Sequence, residues 1–151
     1  MDPRRGHAAT RGGLIALASL AALTGHAVAA PPRPPPKPAG VPGVPPPAWI
    51  DSGPAEKWLA YSTYCWKVVC VDYISPEMRK DLPVLRIWRG QPVTVHLGFV
   101  PSQLSVSQGN RTKRLVPRKT ATWRPGAGVA SIFAVRKAGG DASYAVRIKL
   151  R

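Results

Sequence analysis

A small antiparallel β-sandwich of about seven strands is the fold this all-β sequence predicts, set behind an export signal and a proline-rich linker. Three observations carry that prediction. From Trp49 onward, apolar residues recur with period two over short runs, the spacing of a strand with one buried face. Glycines, prolines and small polar residues separate those runs, where turns belong. Once its two unusual leading segments are set aside, the 151-residue chain holds enough material for one domain and one modest core.

The first of those segments, residues 1–29, places Arg4, Arg5 and Arg11 ahead of an apolar run from Leu14 to Leu23 and closes on Ala27-Val28-Ala29. A basic start, an apolar centre and a small-x-small end are the parts of a cleavable signal peptide. An uncleaved anchor is the alternative, but the run is short against the roughly 20 residues of a spanning helix and His26 interrupts its continuation. No cysteine stands near the cut for a lipid anchor, and no later segment is apolar enough to span a bilayer. The expected location is secreted or periplasmic, with no transmembrane span after signal removal.

Residues 30–48 form the expected linker. Ten of the eighteen prolines fall within residues 31–47, and because proline locks φ and lacks a backbone donor, this piece reads as an extended polyproline stalk outside any sheet. At about 3.1 Å per residue it reaches roughly 50 Å.

The domain is expected over residues 49–151. Its strand candidates are Ser62 to Trp66, Val84 to Trp88, Val93 to Phe99, Leu104 to Ser107, Thr120 to Arg124, Ala130 to Arg136 and Tyr144 to Arg151. The clearest is VTVHLGF, in which Val93, Val95, Leu97 and Phe99 share one face and His96 lies on the other, towards solvent. In the last run, Tyr144, Val146, Ile148 and Leu150 face one way and Arg147, Lys149 and Arg151 face water. Gly139-Gly140 between the final two runs predicts a hairpin. One helical turn or two is expected in SPEMRKDLP, with Ser75 as cap, Pro76 in the first position and Pro83 disfavouring helix before it.

Cys65 and Cys70 are the only cysteines. Outside the cytoplasm such a pair is most often a disulfide. In one straight strand the two would stand about 16 Å apart on opposite sides, and in one helix about 140° apart around the axis. A bridge therefore demands that the chain reverse between them, at Lys67 to Val69. Tyr64 and Trp66 share a face and cover the bridge or the core beside it. Zinc lacks further ligands here, since beyond the thiols residues 30–151 offer only His96 and scattered carboxylates. The spacing is also not that of a Cys-x-x-Cys redox pair.

YCW at 64–66, CVD at 70–72 and GDASY at 140–144, leading into an alternating terminal strand, resemble a set of bacterial exported proteins of unknown function with an immunoglobulin-like β-sandwich. The likeness covers roughly residues 60–151. It implies a Cys65–Cys70 disulfide and a Tyr144 that anchors the last strand, and it brings no catalytic residue and no cofactor. Tyr144, three residues after Asp141, also resembles the tyrosine corner of sandwich domains; the other reading is an ordinary core tyrosine.

Charge is the remaining signal. The chain carries +15, and loss of residues 1–29 removes three basic residues and one acid to leave +13. Such a surface favours polyanions without choosing among phosphate, carboxylate and sulfate. Arg111, Lys113, Arg114, Arg118 and Lys119 crowd nine residues, with Arg124 close behind. They make either a polyanion-binding groove, if the chain bends at Leu115 to Pro117, or a solvated loop or edge strand whose charges prevent edge-to-edge pairing. Aromatic residues do not interleave with them, so base stacking on single-stranded nucleic acid is not suggested, and sequence-specific nucleic acid is not an expected partner. No nucleophile elbow, phosphate loop or catalytic carboxylate pair is recognisable. The expectation is a non-enzymatic binding or envelope-associated module, without metal or cofactor, whose partner is an anionic cell-envelope polymer or a protein. A structural accessory domain with no polyanion role is the alternative.

Overall fold

The structure, a computed structural model, describes residues 43–151; the expected signal segment 1–29 and most of the expected linker 30–48 lie outside the described residues. Eleven strands follow in chain order: β1 (Trp49–Asp51), β2 (Glu56–Trp58), β3 (Ala60–Trp66), β4 (Val69–Val71), β5 (Val84–Ile87), β6 (Val93–His96), β7 (Pro101–Gln108), β8 (Arg111–Arg114), β9 (Thr120–Trp123), β10 (Gly128–Arg136) and β11 (Asp141–Leu150). They build two sheets, one ordered β2-β1-β6-β9 and the other β4-β3-β11-β10-β7-β8. β5 joins the larger sheet in parallel with β11, the exception to an otherwise antiparallel arrangement. It lies beside Arg147–Leu150, while β3 occupies the same edge of β11 at Asp141–Ala145.

Alternation explains the sandwich. The smaller sheet turns Ile50, Val93, Val95 and Trp123 inward, the larger one Tyr64, Trp66, Leu85, Ile132, Tyr144 and Ile148, and all belong to one buried cluster. The all-β sandwich expected from the sequence is therefore formed, with more strands than expected. The additional ones, β1, β2, β4 and β8, have three or four residues each, too few to display a period. Four expected runs end early, β9 at Trp123 and β11 at Leu150 by one residue each, β5 at Ile87 and β6 at His96. Leu97 and Phe99 remain buried beyond the end of β6, whereas Trp88 is exposed.

The β10–β11 hairpin closes as expected, with Arg136 N–H donating to the Gly140 carbonyl at 2.8 Å. Gly140 has a φ of 102°, and a Cβ there would stand 3.1 Å from the Cys65 carbonyl oxygen, so conformation and space both require glycine. The helical turn is a single 3-10 turn, Pro76–Met78, held by Met78 N–H to the Ser75 carbonyl at 2.9 Å. Ser75 does not cap it as expected, because its hydroxyl is taken by the Glu77 carboxylate. Beyond that turn the chain covers the outer face of the larger sheet, burying Leu82 against Val129 and Ala145. Arg147 secures this cover by donating from Nη2 to the Arg79 carbonyl at 2.9 Å.

The end of the proline-rich segment forms no strand, as expected, yet it is packed into the domain rather than standing clear of it. Pro45 and Ala48 are buried, so packing extends past the expected boundary at Trp49. The Tyr61 hydroxyl donates to the Pro45 carbonyl at 2.6 Å and the Tyr144 hydroxyl to the Pro46 carbonyl at 2.7 Å. Proline supplies carbonyl acceptors without donors, so two phenols suit it. Burial, then the charges of Tyr64 and Tyr73, push Tyr61 up to about 12; burial, then Tyr61, raises Tyr144 as well. Gly98 admits this strap, since a Cβ there would meet the Pro46 Cβ at 2.4 Å.

Candidate functional site

Cys65 and Cys70 are directly opposed across the β3–β4 hairpin, with Cα atoms 4.0 Å apart, and form a disulfide. The reversal falls at Lys67 and Val68, one residue tighter than expected. Lys67 adopts a φ of 57°, where glycine is the usual occupant. Tyr64 and Trp66 lie on the opposite face from the bridge and cover the core, not the disulfide. Trp66 packs on Phe99 with ring centroids 5.0 Å apart, and the Arg136 guanidinium sits 5.4 Å from the Trp66 ring. On the other edge of β3, the Cys65 N–H donates to the Asp141 carboxylate at 3.3 Å. Tyr144 is fully buried, and its phenol reaches backbone 98 positions upstream. It thus anchors the last strand to the proline strap.

The basic cluster begins on an edge strand. All four residues of β8 are exposed, and it pairs only with β7 among the described strands, in the register Ser105↔Arg114, Val106↔Lys113, Ser107↔Thr112 and Gln108↔Arg111. Because side chains alternate, Arg111 and Lys113 project to the side of Val106, which is buried and faces the core, while Arg114 projects to the other side. Arg118 and Lys119 follow in the connection that carries the chain to the smaller sheet, where Leu97 N–H donates to the Lys119 carbonyl at 2.7 Å. Along β8 the predicted cations therefore divide between two faces, Arg111 and Lys113 on one and Arg114 on the other. Arg114 lines a depression of about 520 Å³ with Thr112, Leu115, Pro117 and Phe133.

Arg111 and Lys113 line a different cleft, of about 480 Å³, together with Trp123 and Arg124. Here the larger sheet, through β7 and β8, meets the connection from β9 to β10. None of the described lining residues is acidic. One wall is fastened by the Gln108 side chain, which donates to the Gly126 carbonyl at 2.7 Å and accepts the Gly126 N–H at 3.0 Å. Arg124 is held through Nε by the Gly90 carbonyl at 3.2 Å. Trp123 is 5% exposed, and its indole Nε1–H is buried without a hydrogen-bond partner. Sequence patterning identified the cations but not Gln108, Trp123 or Gly126, which reach the cleft only through sheet pairing and one long-range amide clamp. The cleft thus gathers three cations, of which Arg124 is tethered, beside a buried indole donor that has no partner.

His96 occupies the outer face of the smaller sheet, as the alternation requires, but does not simply face water. Its ring stacks on Trp49 at 3.6 Å, and Nε2 lies 2.5 Å from the Asp51 carboxylate. The side chain is 22% exposed. Asp51 is also fixed, accepting the Gly53 N–H at 3.1 Å. These contacts staple the three-residue β1 onto β6.

Comparison with protein-family models, curated proteins and solved structures gives no match to this chain. Among the described residues no helix is long and apolar enough to cross a membrane.

Proposed function

We propose that this chain is an exported, non-enzymatic binding module that holds an anionic cell-envelope polymer, or a partner protein of that charge, through its basic edge. One observation carries the reading: Arg111, Lys113 and Arg124 share a cleft with no acid among its described lining residues. Cations placed together without compensating carboxylates repel one another, and an anion relieves that repulsion while releasing its own counterions. The disulfide and the sandwich agree with the resemblance to exported bacterial proteins of immunoglobulin-like fold, and the +13 remaining after signal removal adds long-range attraction. The same reading makes the proline-rich segment a spacer.

A structural accessory domain is the second reading, favoured by the exposed apolar residues Ile74 and Met78 near the 3-10 turn. Charge reversal separates the two. Arg111→Glu with Lys113→Glu should weaken retention on a polyanionic matrix and flatten its salt dependence, by a slope of roughly 0.7–0.9 for each cation engaged. A second set, Arg114→Glu with Arg118→Glu and Lys119→Glu, measures the remaining cations of the cluster. Retention unchanged by both sets would favour the accessory reading.

A further inference from the structure

We propose that the cleft between β8 and the β9–β10 connection is a specific site for a phosphomonoester carried on a sugar- or glycerol-sized group. This rests on the reading that the basic edge binds anions, and it names the ligand. Three cations line the cleft and no described lining residue is acidic. A carboxylate or a phosphodiester brings one negative charge and leaves most of that field unanswered. A phosphomonoester brings about −1.5 to −2 at neutral pH and three strong acceptor oxygens, so it answers more of that field and offers one oxygen to each cation.

The indole supplies the second, independent observation. Trp Nε1–H is a donor only, and at Trp123 it is buried in a cleft wall with no partner. Buried donors are nearly always paired, because an unmade bond costs the full desolvation of the group. An anionic oxygen is the acceptor that the surrounding cations would bring to it. The nitrogen is sealed from water, so engaging it requires the indole to shift towards the cleft, and that shift should change tryptophan emission.

Size and rigidity fit the same ligand. About 480 Å³ lies within the roughly 300–1,000 Å³ usual for small-molecule sites and exceeds what a bare phosphate fills. Val106, Ala127 and the Trp123 ring then face the organic part. The two hydrogen bonds between Gln108 and Gly126 and the tether of Arg124 to Gly90 hold the β9–β10 connection in place, which reduces the ordering cost of binding.

Calorimetric titration of the disulfide-intact protein tests this, with glycerol 3-phosphate, glycerophosphoglycerol and glucuronate as the monoester, diester and carboxylate probes. The expected result is saturable one-to-one binding of the monoester, at least about tenfold tighter than either other probe. Trp123→Phe should weaken it about tenfold. Arg124→Gln, at an exposed side chain, gives a second readout that does not depend on the core tolerating the Phe substitution. Equal affinity for all three probes would overturn the proposal, as would monoester binding unaffected by both variants. Retention of polymer without saturable monoester binding removes this inference alone; monoester binding without polymer retention removes the broader reading alone. Tighter binding to phosphatidic acid vesicles than to free glycerol 3-phosphate identifies a lipid-borne phosphomonoester, and the reverse order a free one.

Discussion

Replacing Tyr144 with phenylalanine tests how the end of the proline-rich segment is held. The ring is fully buried and its hydroxyl spends its one proton on the Pro46 carbonyl at 2.7 Å. Tyr144→Phe keeps the ring volume, so no large cavity opens and the loss is confined to that bond. A net hydrogen bond contributes about 1 kcal/mol, and a buried acceptor left unpaired costs about 1–3 kcal/mol. Because Pro46 is only partly buried, the expected destabilisation is about 1–2 kcal/mol, between those limits. In a domain of this size each kcal/mol shifts the melting midpoint by roughly 4–8 °C. Tyr61→Phe removes the neighbouring bond to Pro45 from a less buried ring and should cost about 0.5–1 kcal/mol. The two rings lie 5.6 Å apart and hold one strap, so the double variant should lose less than the sum of the single ones. Urea unfolding followed by tryptophan fluorescence measures all three. A Tyr144→Phe protein within about 0.3 kcal/mol of the parent would show that this bond does not secure the strap, since the expected loss is several times larger.

Other expectations follow from the same structure. Both tyrosines are harder to ionise when folded than when unfolded, where they titrate near 10, so their contribution is complete below pH 10. It declines as the pH rises towards 12, because the unfolded chain then releases protons that the folded one retains; thermal melts from pH 8 to 11.5 should fall less steeply for Tyr144→Phe than for the parent. Reducing Cys65–Cys70, or substituting both with serine, should cost about 2 kcal/mol by the loop-closure relation for so short a loop, and a denaturation midpoint unchanged by reductant would contradict it. The loss should be centred on the β3–β4 hairpin, where amide exchange on Val69–Val71 should rise first.

Legibility from sequence followed burial. β6 and β11 were readable because Val93 and Val95, or Tyr144, Val146 and Ile148, face a core while their neighbours do not. β1, with Trp49, Ile50 and Asp51, buries both its second and third residues and so offers no alternation to detect. β8, Arg-Thr-Lys-Arg, contains no apolar residue; β7 makes it a strand, and its sequence alone reads equally as a loop. The cysteine clasp was accessible because a six-residue segment leaves few geometries. The acceptor of the Tyr144 phenol was not, since it sits in a stretch whose composition argues for solvent. In the candidate site the cations were visible as a cluster, but period-two alternation along β8 sends Arg114 away from Arg111 and Lys113. Trp123 and Gln108 lie in separate strands, each with a sufficient reason to be there without any ligand, so neither stands out in one sequence.

Binding at the Arg111–Lys113–Arg124 edge is the central claim, and mapping backbone amide shifts by nuclear magnetic resonance tests it most directly. Titration of the labelled, disulfide-intact protein with an anionic envelope polymer should perturb residues 108–113 and 123–127 first and leave residues 73–78 unmoved. Shifts confined to residues 73–78, or an absence of shifts at low salt, would contradict it.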